Sequence, residues 1–223
     1  FRGQNTQDTA SDPTLEQVAF DLKSRRTLGA IPRELVRVSS PAVDTLVDEL
    51  IQMAFAEHED NFAFATSSVS NGPTSLYAAS STTTHLVGSS ANGGTLAYAD
   101  LLRTVRKAYA AKAVGPFAWI MSPRTFFDRC LGLEDTEGHP IVQPDAKAPI
   151  GFQLLGYPVF VSPEVPEDQA NGSGTSQSYA IFTNPRKYIH IADSGSVEIA
   201  RSEERYFDYN QIGIRGVHAV DLK

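Results

Sequence analysis

The sequence predicts an α+β fold, and two observations support this class. Segments with helical periodicity and short strand-like segments follow one another without the strict alternation of a βαβ protein. The helical segments begin at capping residues, whereas Gly, Pro, Asn and Asp separate the strand-like ones. With 223 residues, the chain can form one large domain or two closely packed ones around a hydrophobic core.

Composition limits the function classes. The chain is 41% hydrophobic and carries a net charge of −7, which argues against nucleic-acid binding through bulk charge, although an acidic shell can still enclose DNA. The single cysteine, Cys130, excludes an internal disulfide and is typical of a reducing compartment. No apolar run reaches the roughly 20 residues of a bilayer span. We therefore expect a soluble, intracellular protein with no membrane partner.

The first structured segment shows an alternating pattern between Leu15 and Leu28. Val18, Phe20 and Leu22 point one way, with polar or small residues between them. This period of two predicts a half-buried strand. Because no strand-like segment precedes it, we expect it to pair either with another chain or with a segment upstream of Phe1.

Two longer helices are predicted. Ser40 is a suitable N-cap and Pro41 suits the first helical position, so a helix should run to about Asp60. Its apolar stripe comprises Val43, Leu46, Val47, Leu50, Ile51 and Ala54. A polar loop is expected from Thr66 to Gly94. A second helix should follow the cap Thr95, with Tyr98, Leu101, Leu102, Val105 and Tyr109 facing inward.

The second half of the chain is predicted to form short strands and one short helix. Phe117–Met121 predicts a buried strand, and Ser122 with Pro123 begins a helix that Gly132 ends. An exposed loop is expected from Pro163 to Ser178. Further strands are predicted at Tyr157–Val161, Tyr179–Phe182, Tyr188–Ile191, Val197–Ile199 and roughly Phe207–Val220.

Two groups of residues could carry chemistry, and a simpler explanation accounts for each. Cys130 with His139 could form a thiol nucleophile and its base, but Cys130 lies on the apolar side of a short helix, where a free cysteine is usually a core residue. Glu134, Asp135 and Glu137 could bind a cation with His139, yet they lack EF-hand spacing. A solvated turn explains them better. No catalytic, cofactor or metal site is therefore expected.

Several segments carry motifs that recur in a fixed order. They are Ser39–Phe62, Trp119–Pro123, Leu131–Ile141, Leu154–Val159, Ala180–Tyr188, Asp193–Ile199 and Phe207–Val220. In this order they resemble the major capsid proteins of tailed bacteriophages, which share the Hong Kong 97 fold. Leu15–Leu28 is similar to the returning arm of that family's extended loop. The resemblance covers about 200 residues.

The resemblance implies a division of the chain. Residues 1–34 would belong to the extended loop, 35–92 to a peripheral domain with the long spine helix, and 93–192 to an axial domain. Residues 193–223 would be closing strands that return through both domains. The family's N-terminal arm and first extended-loop strand would lie before Phe1.

The family also implies candidate contacts between subunits. These are Val18, Phe20, Leu22, Lys23, Arg25, Arg26 and Asn210. Some members join a Lys to an Asn by an isopeptide bond that a glutamate promotes. Lys23 and Asn210 lie near those positions, but Val217 stands where the glutamate is expected and cannot transfer a proton. The resemblance therefore implies a shell held by non-covalent contacts.

The function implied is a major capsid protein, a structural protein and not an enzyme. It would assemble with itself into pentamers and hexamers, in the bacterial host cytoplasm, and enclose double-stranded DNA in a virion without sequence-specific binding. Scaffold, protease, portal or decoration proteins are further partners of such shells. Two alternatives stay open: an encapsulin-type nanocompartment shell, and a small hydrolase or thiol enzyme that uses Cys130 and His139.

Overall fold

A computed structural model describes residues 17–38, 42–66, 72–79, 93–135, 137–142 and 152–223. The elements in chain order are β1 (Lys23–Pro32), α1 (Arg33–Val38), α2 (Ala42–Phe64), α3 (Leu76–Ala79), α4 (Tyr98–Ala110), β2 (Ala118–Met121), a π-helical turn (Thr125–Cys130), β3 (Phe152–Leu154), β4 (Tyr157–Val161), β5 (Gln169–Asn171), β6 (Gly174–Gln177), β7 (Ala180–Thr183), α5 (Pro185–Tyr188), β8 (Ile191–Asp193), β9 (Glu198–Ser202), a 3-10 turn (Phe207–Tyr209) and β10 (Gln211–Leu222).

The first sheet is built around β10. The whole of β1 pairs antiparallel with it, from Lys23 opposite Val220 to Pro32 opposite Gln211. On the other side, β9 pairs with the first half of β10 and β8 with its end. Burial alternates along the middle of β10, where Ile214, Gly216, His218 and Val220 lie on a buried face and Arg215, Val217 and Ala219 on a less buried one.

Helix α2 covers the buried face of the first sheet. Its Ile51 and Phe55 lie directly over Gly216 of β10: a Cβ atom placed on Gly216 would lie 2.8 Å from Phe55 Cε2 and 2.9 Å from Ile51 Cγ2. The missing side chain therefore lets the helix approach the sheet closely. Asp48 and Arg201 of β9 add an ion pair at 3.1 Å along the same contact.

The second sheet has the order β3–β4–β2–β7, with β2 and β4 parallel and the other pairs antiparallel. All four residues of β2 are buried. Trp119 and Met121 face a core that α4 and the π-helical turn complete through Leu101, Phe126 and Cys130. On the opposite face, Ile120 packs with Phe64 at the end of α2, so that one helix touches both sheets.

Most predicted elements are present, but the first strand was misplaced. It spans Lys23–Pro32 and not Leu15–Leu28, and Gln17–Leu22 has no regular structure. The expectation that no strand of this chain pairs with it is wrong, because β10 pairs with all of it. A partner so distant in sequence leaves no local signal beside the strand. Pairing of its outer edge with another chain or an upstream segment stays a prediction, since β1 is the edge strand of the described sheet.

The two predicted longer helices are present, but the side chains that they bury differ from those predicted. The capping residues Ser40 and Pro41 lie outside the described residues, and α2 ends at Phe64. Leu46, Leu50 and Ala54 were expected inward but are exposed, because the sheet lies against the neighbouring face. In α4, Leu102 and Tyr109 are likewise exposed, and the helix begins after Ala97, whose N–H donates to the Asp100 carboxylate at 3.1 Å.

Three predictions for connecting segments change. The expected strand Tyr188–Ile191 is the end of α5 followed by β8. The expected exposed loop Pro163–Ser178 contains the hairpin of β5 and β6, and Val165 within it is fully buried. The predicted loop from Thr66 to Gly94 contains α3, although most of that stretch lies outside the described residues. The α+β class is confirmed.

The close approach at Gly216 gives a test of this packing. We expect Gly216→Ala to destabilise the unassembled subunit by about 1–3 kcal/mol, because the added methyl group overpacks the contact with Ile51 and Phe55. The free energy of unfolding in urea measures the effect. Gly29→Ala on β1 is the matched control, since no atom lies within 4 Å of its Cβ position. Equal effects at both positions would contradict the packing described.

Candidate inter-subunit surfaces

A short segment, Gln17–Leu22, leaves the first sheet at the start of β1. The end of this segment next to β1 is held against the sheet, because the Asp21 N–H donates to the buried carboxylate of Asp221 at 2.8 Å. Asp21 also pairs with Lys23, whose hydrogen bond lowers the pKa of the Asp21 carboxyl. Beyond this point Val18, Phe20 and Leu22 are 41% to 50% exposed. We call these three side chains the arm stripe.

The three predicted basic contact residues lie in different surroundings. Lys23 pairs with Asp21, and Arg26 is exposed on the open face of the sheet. Arg25 instead faces α2, where its guanidinium lies 4.3 Å from the ring centroid of Phe62. Burial lowers the pKa of Arg25, while the charge of Glu59 opposes that shift. Arg25 thus contacts its own helix, and Arg26 is the arginine open to a neighbour.

A buried histidine joins the helix to the sheet beside Arg25. His218, which lies opposite Arg25 in the ladder, is 6% exposed. Its Nδ1 lies 2.9 Å from Glu59 Oε1 on α2, and its Nε2 lies 3.4 Å from Asp193 Oδ1 on β8. The cluster was not predicted from the sequence, since its members come from four separate elements.

Helix α2 carries a second apolar surface on its outer side. Leu46, Leu50 and Met53 are 52% to 67% exposed and follow the i, i+4, i+7 spacing of one helix face. We call these three side chains the spine stripe. Exposed Glu49, Glu57 and Asp60 lie on the same helix. Contiguous exposed apolar side chains rimmed by charge are typical of a protein–protein contact.

Asn210 lies in the turn before β10, at the opposite end of β1 from Lys23. Its φ of 53° is left-handed, and its carbonyl accepts a hydrogen bond from the Arg33 N–H at 3.0 Å. Lys23 pairs with Val220 and Pro32 with Gln211, which separates Lys23 from Asn210 by about 30 Å along one chain. The two residues are therefore not brought together within a subunit.

The segment Pro163–Ser178, which was predicted as an exposed loop, is held by one arginine. Arg124 donates to the carbonyls of Glu167 and, at 3.0 Å, Ser176, while its N–H donates to the Glu167 carboxylate at 3.0 Å. Residues at both ends of the β5–β6 hairpin are thereby tied to the start of the π-helical turn. The sequence did not indicate this contact.

Cys130 and His139, which the enzyme alternative would use as nucleophile and base, lie in different surroundings. Cys130 is fully buried, with its sulfur 3.9 Å from Met121 Sδ, and burial raises the pKa of its thiol to about 11. His139 lies exposed on a turn where Asp135 accepts N–H bonds from Glu137 and His139. Among the described residues, no group of three or more His, Cys, Asp or Glu side chains could hold a metal ion.

The geometry defines a class of protein. A long helix lies across one sheet, a second sheet lies at its end, and apolar side chains stay exposed on arm and helix, which is typical of a protein that makes protein–protein contacts. The chain belongs to the phage capsid family, whose model matches residues 2–223. It is a major capsid protein that self-assembles into the shell of a virion, as the sequence resemblance predicted.

Solved structures show the same fold. The capsid of the native GTA particle has a TM-score of 0.73 at 17% identity, over 100% of this chain and 75% of that one. For Mycobacterium phage Bobi the TM-score is 0.60 at 16% identity, over 90% and 65%. The holo-SrpI encapsulin complex from Synechococcus elongatus PCC 7942 gives 0.62 at 10% identity, over 91% and 69%. The predicted Hong Kong 97-like fold is confirmed.

Two further findings bear on the class. No curated protein sequence matches the chain. Across the described segments, the helices are too short or too polar to traverse a lipid bilayer.

The burial of Cys130 gives a direct test of its role. Because the raised pKa keeps the thiol protonated at pH 8, and the thiolate is the reactive form, we expect iodoacetamide to leave the native subunit unlabelled. Mass spectrometry should find full labelling in urea at the same pH, which serves as the control. Rapid labelling of the native protein would contradict a core role for this residue.

Proposed function

We propose that the chain forms pentamers and hexamers of an icosahedral shell in which the arm stripe of one subunit lies on the spine stripe of its neighbour. The observation that carries this proposal is the presence of two uncovered apolar surfaces on one subunit that forms a shell. Joining them removes apolar area from water on both sides.

The spacing of the two stripes supports their pairing. In an extended arm, Val18, Phe20 and Leu22 stand about 6.6 Å apart and span about 13 Å. On α2, Leu46, Leu50 and Met53 span about 10.5 Å at 1.5 Å per residue. Three side chains on each partner can therefore meet with little offset between them.

Charge supports the same arrangement. Arg26 is exposed close to the arm, whereas Glu49, Glu57 and Asp60 are exposed on α2. Opposite charges around an apolar contact orient the partners and raise the association rate more than they raise affinity. Arg25 is not part of this contact, since its guanidinium packs on Phe62.

The arm contact predicts a loss of assembly without a loss of folding. We expect Val18→Ser, Phe20→Ser and Leu22→Ser together to raise the subunit concentration needed for assembly at least about tenfold. Light scattering measures assembly, and circular dichroism measures folding. The matched control, Gln17→Ser with Ala19→Ser, changes the alternate positions of the same segment. Normal particles from the triple variant would contradict the proposal.

Substitutions in the spine stripe are expected to reduce assembly in the same way as substitutions in the arm stripe. We expect Leu46→Ala, Leu50→Ala and Met53→Ala together to impair assembly as much as the arm variant, since both remove one apolar contact. Combining the two sets should add little, because each variant already removes the shared interaction. Thr45→Ala with Gln52→Ala, at exposed positions of α2 outside the proposed contact, tests for an unspecific effect of helix substitution. Additive losses in the combined variant would argue that the stripes contact different surfaces.

We further propose that the shell encloses double-stranded DNA without sequence-specific binding and assembles in the bacterial host cytoplasm. The net charge of −7 supports a shell that confines the DNA without binding it through charge. Scaffold, protease, portal and decoration proteins are the further partners that we propose for this shell. An encapsulin-type nanocompartment remains a second candidate, favoured by the structural likeness to the holo-SrpI encapsulin complex.

The contents of the particle separate these candidates. For a genome shell we expect purified particles to hold nuclease-protected DNA, while unassembled subunits fail to retard the same DNA on a gel at about 50 mM salt. A basic DNA-binding protein is the positive control for retardation. Particles filled with a protein cargo and free of DNA would favour the nanocompartment.

The division into an extended loop (1–34), a peripheral domain (35–92), an axial domain (93–192) and closing strands (193–223) is also proposed. The spine helix α2 supports the peripheral part, and the second sheet with α4 supports the axial part. We propose non-covalent joining of subunits and no catalytic activity. Val217 lies opposite Arg26 in the ladder, and an apolar side chain there cannot promote an Lys–Asn bond.

A further inference from the structure

His218 is a titratable side chain enclosed between helix α2 and the first sheet. It is 6% exposed and lies on the face of β10 that α2 covers. Its ring meets the ring of Phe55 edge to face, with 5.9 Å between the centroids. Histidine changes its charge between roughly pH 5 and 8, so the charge inside this contact depends on one proton. The surrounding groups decide which form of the ring the fold favours.

Three charged groups from three elements face the imidazole. Glu59 Oε1 of α2 lies 2.9 Å from Nδ1, and Asp193 Oδ1 of β8 lies 3.4 Å from Nε2. Arg25 of β1 is directly opposite His218 in the ladder. Two carboxylates and one guanidinium therefore surround the ring, and the cluster is electrically neutral only when His218 carries a proton.

The other charged residues of the sheet do not change this balance. Lys23 is on the same face of β1 as Arg25 and is paired with Asp21. Glu198 of β9 lies opposite Val217 in the ladder, and Asp221 follows Val217 at an interval of four residues. Because side chains alternate along a strand, both carboxylates point to the face away from His218.

The two carboxylates of the cluster compensate different cations. Nε and Nη1 of Arg25 are buried and, among the described residues, have no hydrogen-bond partner. The charge of Glu59 acts on this guanidinium and opposes the lowering of its pKa by burial. Glu59 is thus shared with Arg25, which leaves the charge of Asp193 to His218. An opposite charge at this distance favours the protonated ring.

The helix itself adds no further charge inside the contact. Glu57, His58 and Asp60, the other charged or titratable residues near Glu59, are exposed to solvent. Charges in water interact weakly with a buried group compared with those that touch it.

We propose that the protonated ring of His218 holds helix α2 against the first sheet, so that this contact loosens as the pH rises from about 6 to 8. With the proton, the ring carries the positive charge that joins Glu59 of the helix to Asp193 of the sheet. Without it, one carboxylate charge in the cluster has no counterpart. Folding takes up this proton, and linkage then makes the folded state less stable as the pH rises.

The contact lies where α2 joins the two sheets. Phe64, at the end of the helix, packs with Ile120 of the second sheet, whereas Phe55 lies over Gly216 of the first. Loosening at His218 therefore frees the helix from the first sheet while its end stays packed on the second. Since the whole cluster lies inside one subunit, the inference does not rest on the contact proposed between the arm and spine stripes.

Urea unfolding of the unassembled subunit at two pH values tests this contact. We expect the equilibrium constant for unfolding to rise between pH 6 and pH 8 by a factor at least about fivefold larger in the wild type than in His218→Gln. The matched control, His58→Gln, replaces an exposed histidine of the same helix and should keep the wild-type pH dependence. The same pH dependence in the wild type and in His218→Gln would overturn the inference.

A second variant separates the effect of charge from a loss of packing. In Glu59→Gln, Arg25 and Asp193 balance each other, and the cluster is neutral with an unprotonated ring. We therefore expect this variant to lose the pH dependence although His218 is present. Glu57→Gln, at an exposed position of the same helix, should retain it. Should His218→Gln fail to fold, wild-type pH dependence in Glu59→Gln would by itself contradict the proposal.

Amide hydrogen exchange locates the effect within the subunit. After correction for the intrinsic exchange rate at each pH, we expect peptides covering residues 51–64 to be less protected at pH 8 than at pH 6. The difference should be absent in Glu59→Gln. Peptides covering β2 are the internal control, since that strand lies in the second sheet. Equal protection of residues 51–64 at both pH values in the wild type would argue against a loosening of the helix.

Discussion

The ladder between β1 and β10 connects residues roughly 190 positions apart, and the rest of the subunit depends on it. It places β10 at the centre of the first sheet, where β8 and β9 complete the other edge. It also sets which side chains face α2, because a shift of one residue would turn every side chain of the strand to the opposite face. His218 and Gly216 meet the helix only in this register.

Two different features hold helix α2 against one face of the first sheet. At Gly216 the absence of a side chain lets Ile51 and Phe55 approach the strand. Two residues further, His218 lies between Glu59 and Asp193, and Arg25 lies against Phe62. Buried charges are costly unless they are compensated, so this cluster specifies how the helix lies more than it adds stability.

The outer surfaces follow from the same arrangement. With one face of α2 against the sheet, Leu46, Leu50 and Met53 stay 52% to 67% exposed within the subunit. A cluster of exposed apolar side chains is typical of a protein–protein contact. In a shell protein, weak contacts of this kind are repeated by symmetry, and many of them together hold the particle.

The sequence by itself determined the α+β class, the family and the approximate position of most helices and strands, because periodicity and capping are local properties. It also assigned Cys130 to the core and the Asp135 segment to a turn. Only the tertiary structure decided the partner of β1, the inward face of α2 and the use of Arg25 within its own subunit. The cluster around His218 also required it. These features join residues from distant parts of the chain, and local sequence patterns do not record which distant segments will pack together.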